Sequence, residues 1–443
     1  NRERETVGAV HLPVATFVGP TSYDGVMPSD PSMPRRSRRA SSPPPSGPRM
    51  RRTTRQTFMR RRFIAVLTLV TVVYFGYLGV TLVMALTNPS FGVSLSARGA
   101  EWGRDNNFGW AVTWVEQRWY SIHKPKQGGE APSDSFGSGE TAVDVPREGH
   151  LPKPANITSP AATPQAGEGV WHVAGRLSAK GVPALYEAFV RPDNIRTSYV
   201  VGVVWMDTTL LQSRLYSGSY IPGGGPFENR APILPRITGS LVAAFNSGFR
   251  MQDARGGYYI DHKVVHPLRQ GAASAVIFND GTLTVGQWGR DVTMSNDVLA
   301  VRQNLDLIVD NGSPVPELSD ATTMKWGATL GGRYDVWRSG LGVTKNGALI
   351  YVGGPAMTIH ALADILARAG AVRAMELDIN TDWVQYSIYR APLGQVINGG
   401  AGRSLLPSMA GPPSRYFTSW WNRDFFTMSY RDAAMPTGAS GSR

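Results

Sequence analysis

The sequence predicts an α+β protein: a mixed, strand-rich domain with a βαβ unit near its end, preceded by one transmembrane helix. Three observations carry this. Phe63–Leu86 is an unbroken run without a formal charge. From Val170 onward, short apolar runs alternate with Gly, Asn and Asp turn signals, the texture of strands. Thr358–Ala369 (TIHALADILARA) places Ile359, Leu362, Ala363 and Leu366 at helical spacing between two further apolar runs.

Residues 1–62 are rich in Pro, Ser and Arg and read as a disordered cytoplasmic tail. They hold most of the net charge of +12, so the remainder of the chain is nearly balanced. That balance removes the argument for a nucleic-acid partner. Residues 63–86 are the transmembrane helix. At about 1.5 Å per residue they span a hydrocarbon core of roughly 30 Å with some tilt. A buried core helix normally keeps a polar stripe, and this run has none. A cleaved signal peptide ending near Val83-Met84-Ala85 is the other alternative, but the apolar stretch is longer than an ordinary signal core. Arginines crowd the N-terminal flank between Arg35 and Arg62, and the first basic residue beyond the run is Arg98. Positive charge stays inside, so the expectation is a single-pass cell-membrane protein with its N-terminus cytoplasmic and its C-terminal domain extracellular.

Residues 87–122 form a juxtamembrane helical segment carrying Trp102, Trp110, Trp114 and Trp119. These either sit at the head-group level or pack on the domain beyond. Residues 123–169, dense in Pro, Gly, Ser and Ala, read as a semi-extended linker. The domain runs over 170–432, with a disordered tail at 433–443. Within it, Ser198–Met206 and Leu241–Phe245 read as buried strands. Asn279-Asp280-Gly281 and Lys345-Asn346-Gly347 each close a hairpin. Thr358 is placed to cap the helix and Gly370 to stop it. Ala371–Ile379 (AVRAMELDI) is a strand, completing the βαβ order. The 38 arginines against 7 lysines point to a GC-rich bacterial genome.

Composition narrows the chemistry. With no Cys there is no disulfide, no thiolate metal site and no cysteine nucleophile. No Walker A loop, G-x-S-x-G elbow or H-E-x-x-H pair is present. Along Ala371–Ile379, Glu376 and Asp378 are two residues apart and share a face at a strand end. They stand roughly 7 Å apart, a separation that glycoside hydrolysis uses. Asp378-Ile379-Asn380-Thr381-Asp382 opens like a calcium loop. Trp383 and Tyr389 stand where such a loop needs Gly and Glu, which leaves at most a divalent cation near Asp378 and no assigned metal or cofactor. In LVAAFNSGFR, Asn246-Ser247-Gly248 offers an amide and backbone N–H groups at a strand tip. Arg338, in WRSG, presents a fork suited to phosphate.

Taken in order, LVAAFNSGFR, the SAVIFNDGTLTVG hairpin, LDLIVDNGSPV, RSGLGVTKNGALIYV, the helix and AMELD resemble the phosphodiester glycosidase family over roughly residues 170–400. The family pattern puts its N-x-G-F asparagine on Asn246, with Gly248 and Phe249 following. The arginine of R-T-A-x-G falls on Arg338, with Ser339 and Gly342, and the aspartate of N-L-D falls on Asp378. Glu376 replaces the family Asn, and Ile379–Asp382 replaces its glycine–serine tail.

The resemblance implies a hydrolase of a sugar phosphodiester; joined to the anchor read from the apolar run, it makes the expectation a membrane-anchored extracellular glycosidase whose partner is a glycan or sugar-phosphate polymer of the cell envelope. On this reading Asp378, Glu376 and Asp382 are catalytic, and Asn246, Gly248, Arg338 and Ser339 bind substrate. The alternative is a non-catalytic surface module that binds a glycan or a partner with the same cleft.

Overall fold

The computed structural model describes residues 55–431, apart from 138, 143–148, 319–325, 327–335, 399–400 and 419–422. Of the tail expected at 1–62, residues 1–54 lie outside the described residues and residues 55–62 belong to the first helix, while the tail expected at 433–443 lies outside the described residues. The chain divides into two units, residues 1–68 and 69–443. The described part of the first is the opening of helix α1, Arg55–Thr87, which as a whole is long and apolar enough to cross a membrane. Its side chains Phe63, Leu69, Val72 and Phe75 are exposed, unlike those of a core helix.

In the second unit α1 ends at Thr87 and is followed by α2 (Leu95–Asp105) and α3 (Gly109–Ile122). Ser94 caps α2 by accepting from Ala97 N at 3.1 Å. The segment read as a linker packs onto the domain. Phe136, Ala142 and Ile157 are buried in its hydrophobic clusters, and Thr141 bridges to His172. Its sparse apolar residues have no period, yet Phe136 and Ile157 are almost wholly buried.

The strands begin with β1 (His172–Leu177), β2 (Pro183–Val190), β3 (Val201–Met206) and β4 (Leu211–Tyr216). There follow β5 (Leu241–Asn246), a short helix α4 (Met251–Ala254), β6 (Tyr258–Ile260) and β7 (Lys263–His266). Next come β8 (Ala273–Phe278), β9 (Leu283–Gln287), β10 (Val298–Gln303), β11 (Leu307–Asp310) and β12 (Ser313–Pro314). After these stand β13 (Val336–Thr344), β14 (Leu349–Met357), helix α5 (Ile359–Arg368) and β15 (Ala371–Glu376). The chain closes with β16 (Tyr386–Tyr389), β17 (Gly402–Ser404), α6 (Arg415–Thr418) and β18 (Phe425–Tyr430).

They form three sheets. An eight-stranded sheet has the order β1-β2-β3-β14-β13-β15-β11-β12, and two five-stranded sheets run β7-β6-β10-β8-β9 and β17-β16-β5-β18-β4. The architecture is therefore strand-rich with a few helices. Both expected hairpins are present, β8–β9 and β13–β14. Thr358 caps α5 through Ala361 N at 3.1 Å, and Gly370 follows at φ +97°. The order strand, helix, strand also appears, but β14 and β15 are not neighbours. β13 lies between them, antiparallel to both. α5 lays Ile359, Leu362, Ile365 and Leu366 on one side of the large sheet. Gly340 on β13 permits this, since a Cβ there would stand 2.8 Å from Leu366 Cδ1. The other side packs Tyr351 against Phe245 and Tyr386 of the β5 sheet, with ring centroids 5.3 and 4.8 Å away. The aromatic C-terminal segment is interior: Tyr416, Phe425, Phe426 and Tyr430 are buried.

Candidate active site

The ends of β5, β13 and β15 meet at one place because a single hydroxyl ties them together. Ser339 Oγ donates to Asp378 O (2.8 Å) and accepts from Asp378 N (3.1 Å). It also accepts from Asn246 Nδ2 at 3.0 Å. Asn246 uses its whole amide: Nδ2 donates further to Ser247 O (3.0 Å), while Oδ1 accepts from Tyr351 Oη (2.9 Å) and Gln385 N (3.1 Å). Gly248 lets a second amide approach. A Cβ there would stand 2.8 Å from Asn304 Oδ1, which accepts from Phe249 N while Asn304 Nδ2 donates to Glu376 O and Leu377 O. This stapling shortens the expected strand: β15 ends at Glu376, and Leu377–Ile379 leave it.

Asn246, Ser339, Arg338, Glu376 and Asp378 thus converge, but most of them lie inside the wall. Arg338, 1% exposed, pairs with Glu376 Oε1 and donates Nε to Met357 O at 3.0 Å. Glu376 is fully buried and its Oε2 has no partner. Burial pushes its carboxyl up to about 7, against the opposing pull of Arg338 and with a further push from Asp378. The phosphate-gripping fork expected at Arg338 is occupied by this pair.

Asp378 is placed differently. It is 4% exposed, and its Oδ1 accepts from Ile379 N (2.8 Å) and Asn380 N (2.9 Å). Burial raises its pKa, while Arg423 and the two amides favour the ionised form. Asn380, Thr381 and Asp382 line a cleft of about 630 Å³ that opens toward α2 and α3. Asp382 is half-buried there, its carboxyl also raised by burial, with Arg415 opposing. Oδ1 of both Asp378 and Asn380 is engaged by backbone amides. Among the described residues no group of three His, Asp or Glu stands ready to hold a metal ion.

Sequence reasoning missed the cationic partner of this loop. Arg423 lies against Trp383, its Cζ 4.5 Å from the ring centroid. Its Nη2 donates to Glu101 Oε1 at 3.0 Å, while Nε and Nη1 are buried without a hydrogen-bond partner among the described residues. Glu101, on α2, is 4% exposed and also faces Arg104 (3.3 Å) and Arg250 (3.7 Å). Burial works to raise its pKa, but the three arginines outweigh it and hold the carboxyl below the ordinary value. Arg250 is the last residue of the LVAAFNSGFR segment, so a signal for it was present. Glu101 and Arg423 are 322 residues apart, and no spacing rule links them.

Residues 239–378 match the family model described as phosphodiester glycosidase. The resemblance carried by the ordered motifs is therefore shared with that family model over this stretch, which is less than a third of the chain. Asn246, Gly248, Arg338, Ser339, Glu376 and Asp378 fall within it, whereas Glu101, Asp382 and Arg423 fall outside. Among solved structures, the chain is similar to the catalytic domain of zebrafish N-acetylglucosamine-1-phosphodiester alpha-N-acetylglucosaminidase, auto-inhibited by its pro-peptide. Identity is 16%, covering 58% of this chain and 87% of that one, with a TM-score of 0.38. A hypothetical protein from Synechocystis is 13% identical over 64% of this chain and 68% of its own, with a TM-score of 0.30. An exported protein of Burkholderia pseudomallei is 12% identical over 52% and 74%, with a TM-score of 0.25. No curated protein matches the chain.

Proposed function

We propose that this protein is a glycosidase that hydrolyses the bond between a sugar and a phosphodiester, held at a membrane by α1 with the β domain outside and acting on a cell-envelope glycan. The observation that carries the reading is the electrostatic pull of Arg423 on the buried Asp378 carboxyl, exerted by a guanidinium whose Nε and Nη1 have no hydrogen-bond partner among the described residues. Those donors suit phosphate oxygens. A departing phosphate monoester bears its own negative charge, so neutralisation by Arg423 does much of the work that a proton donor does for an alcohol. Asp378 stabilises the positive charge developing at the anomeric carbon. Water supplies the oxygen that joins that carbon as the carbon–oxygen bond to phosphate breaks, and Asp382 exchanges the proton. Arg338 and Glu376 act from within the wall, holding the end of β15, and Asn246 and Ser339 fix the main chain of Asp378.

The test is release of free sugar and phosphate monoester from N-acetylglucosamine 1-phosphodiesters by the purified full chain. Asp378→Asn should lower turnover by ~100-fold while the protein stays folded. Unchanged turnover would remove Asp378 from the chemistry. The other reading, a surface module that binds without cleaving, draws on the low exposure of Asp378 and the replaced glycine–serine tail. Tight binding with no sugar released would favour it.

A further inference from the structure

The cleft beside Asp382 has two unlike ends. Asn380, Thr381 and Asp382 form the end next to the candidate catalytic carboxylate. The opposite walls, from α2 and α3, are apolar, with Ala100, Val112, Val115 and Trp119 among their residues. Glu116 also borders the cleft, but its charge is answered by Arg104.

The apolar end is continuous with the hydrophobic helix. A Cβ on Gly99, itself on the cleft wall, would stand 3.9 Å from Leu86 Cδ2 near the end of α1. Arg98 donates to Leu86 O at 2.8 Å, and Trp102 Nε1 donates to Thr81 Oγ1 at 3.1 Å, so α2 rides on the last turns of α1. On α3, Trp110 and Trp114 are 74% and 66% exposed. Large aromatic side chains turned outward beside a membrane-length apolar helix are the pattern of an element lying at a lipid interface.

We propose that this cleft is the subsite for the hydrocarbon tail of an amphiphilic substrate, a sugar phosphodiester whose second alcohol is a long-chain lipid. This rests on the glycosidase reading and names its substrate class. The tail runs between α2 and α3 from the interface, which delivers the phosphate to Arg423 and the sugar to Asp378. A cleft of this size matches the range that buries a ligand of such dimensions. An oligosaccharide would find little to bond along these walls, because sugar recognition needs polar groups at close spacing.

The experiment uses the full chain in lipid nanodiscs with the methyl and octyl phosphodiesters of N-acetylglucosamine 1-phosphate. The octyl substrate should show kcat/KM at least tenfold higher. Val115→Trp, at an exposed position that tolerates bulk, and Ala100→Phe should each cut that ratio at least fivefold by filling the cleft. A ratio near one, or a ratio that both variants leave intact (partition into the bilayer alone), overturns the proposal. If neither substrate is cleaved, the glycosidase reading fails, and the cleft is judged by crosslinking a diazirine-bearing octyl phosphate. Labelling of α2 and α3 that both variants abolish supports the tail subsite. Labelling elsewhere, or none, overturns it.

Discussion

Two regions of the site are built on opposite plans. The wall, made of Asn246, Ser339, Arg338 and Glu376, sits on strand ends, lies within the family match, and spends nearly every polar atom on the protein itself. The rim, made of Asp382, which lines the cleft, and of the buried pair Arg423 and Glu101, lies outside that match, and Nε and Nη1 of Arg423 have no partner among the described residues. Asp378 is the hinge between them: its main chain belongs to the wall, and its carboxyl feels the charge of the rim's arginine. Shared sequence motifs can therefore mark the scaffold of a site as readily as its working surface. Buried side chains with a full set of partners cannot also hold a ligand.

Four experiments break or sharpen this division. The largest effect belongs to the wall. Arg338→Met should destabilise the fold by on the order of 3 kcal/mol, because it strands the Glu376 carboxyl in the interior. The double variant Arg338→Met, Glu376→Leu should recover most of that in denaturant unfolding. If the double variant is stable yet wholly inactive, the pair reaches substrate and the division fails. Next is the Asp378→Asn loss of ~100-fold in turnover, equivalent to about 2.7 kcal/mol in the barrier. A rim substitution, Arg423→Lys, should raise KM about tenfold with a smaller change in kcat, since charge survives but the planar fork is lost. An unchanged KM would take phosphate away from Arg423.

The smallest effect is one of pH. The carboxyl of Glu376 is raised in the folded state from its ordinary value of 4.5 to about 7. Its contribution to stability is therefore complete below pH 4.5 and is lost as pH rises through about 7. Glu376→Gln carries no such term, so its Tm relative to wild type should climb by a few degrees between those pH values. A flat difference would place Glu376 in contact with solvent. Glu101 works in the opposite sense, since its lowered value makes its contribution fall away as the solution turns acid.

Local elements were legible from the sequence. Helical spacing in Thr358–Ala369 and the turn residues at 279–281 and 345–347 specified α5 and two hairpins, because these depend on neighbours in the chain. Less was legible where distant residues decide. The reading of 123–169 as a spacer missed Phe136 and Ile157, whose partners lie in the strands that follow. The strand expected to run to Ile379 stops at Glu376, since Ser339 and Asn304 compete for its backbone.

By itself the sequence determined an apolar helix of membrane length, a strand-rich domain and an ordered set of motifs that a family model also matches over residues 239–378. Periodicity and turn chemistry act over a few residues, so they can be read along a line. Only the tertiary structure decided that Arg338 turns inward to Glu376, and that Arg423 pairs with Glu101 and bears electrostatically on Asp378. Ion pairing and desolvation depend on distance through space, which the order of residues does not encode.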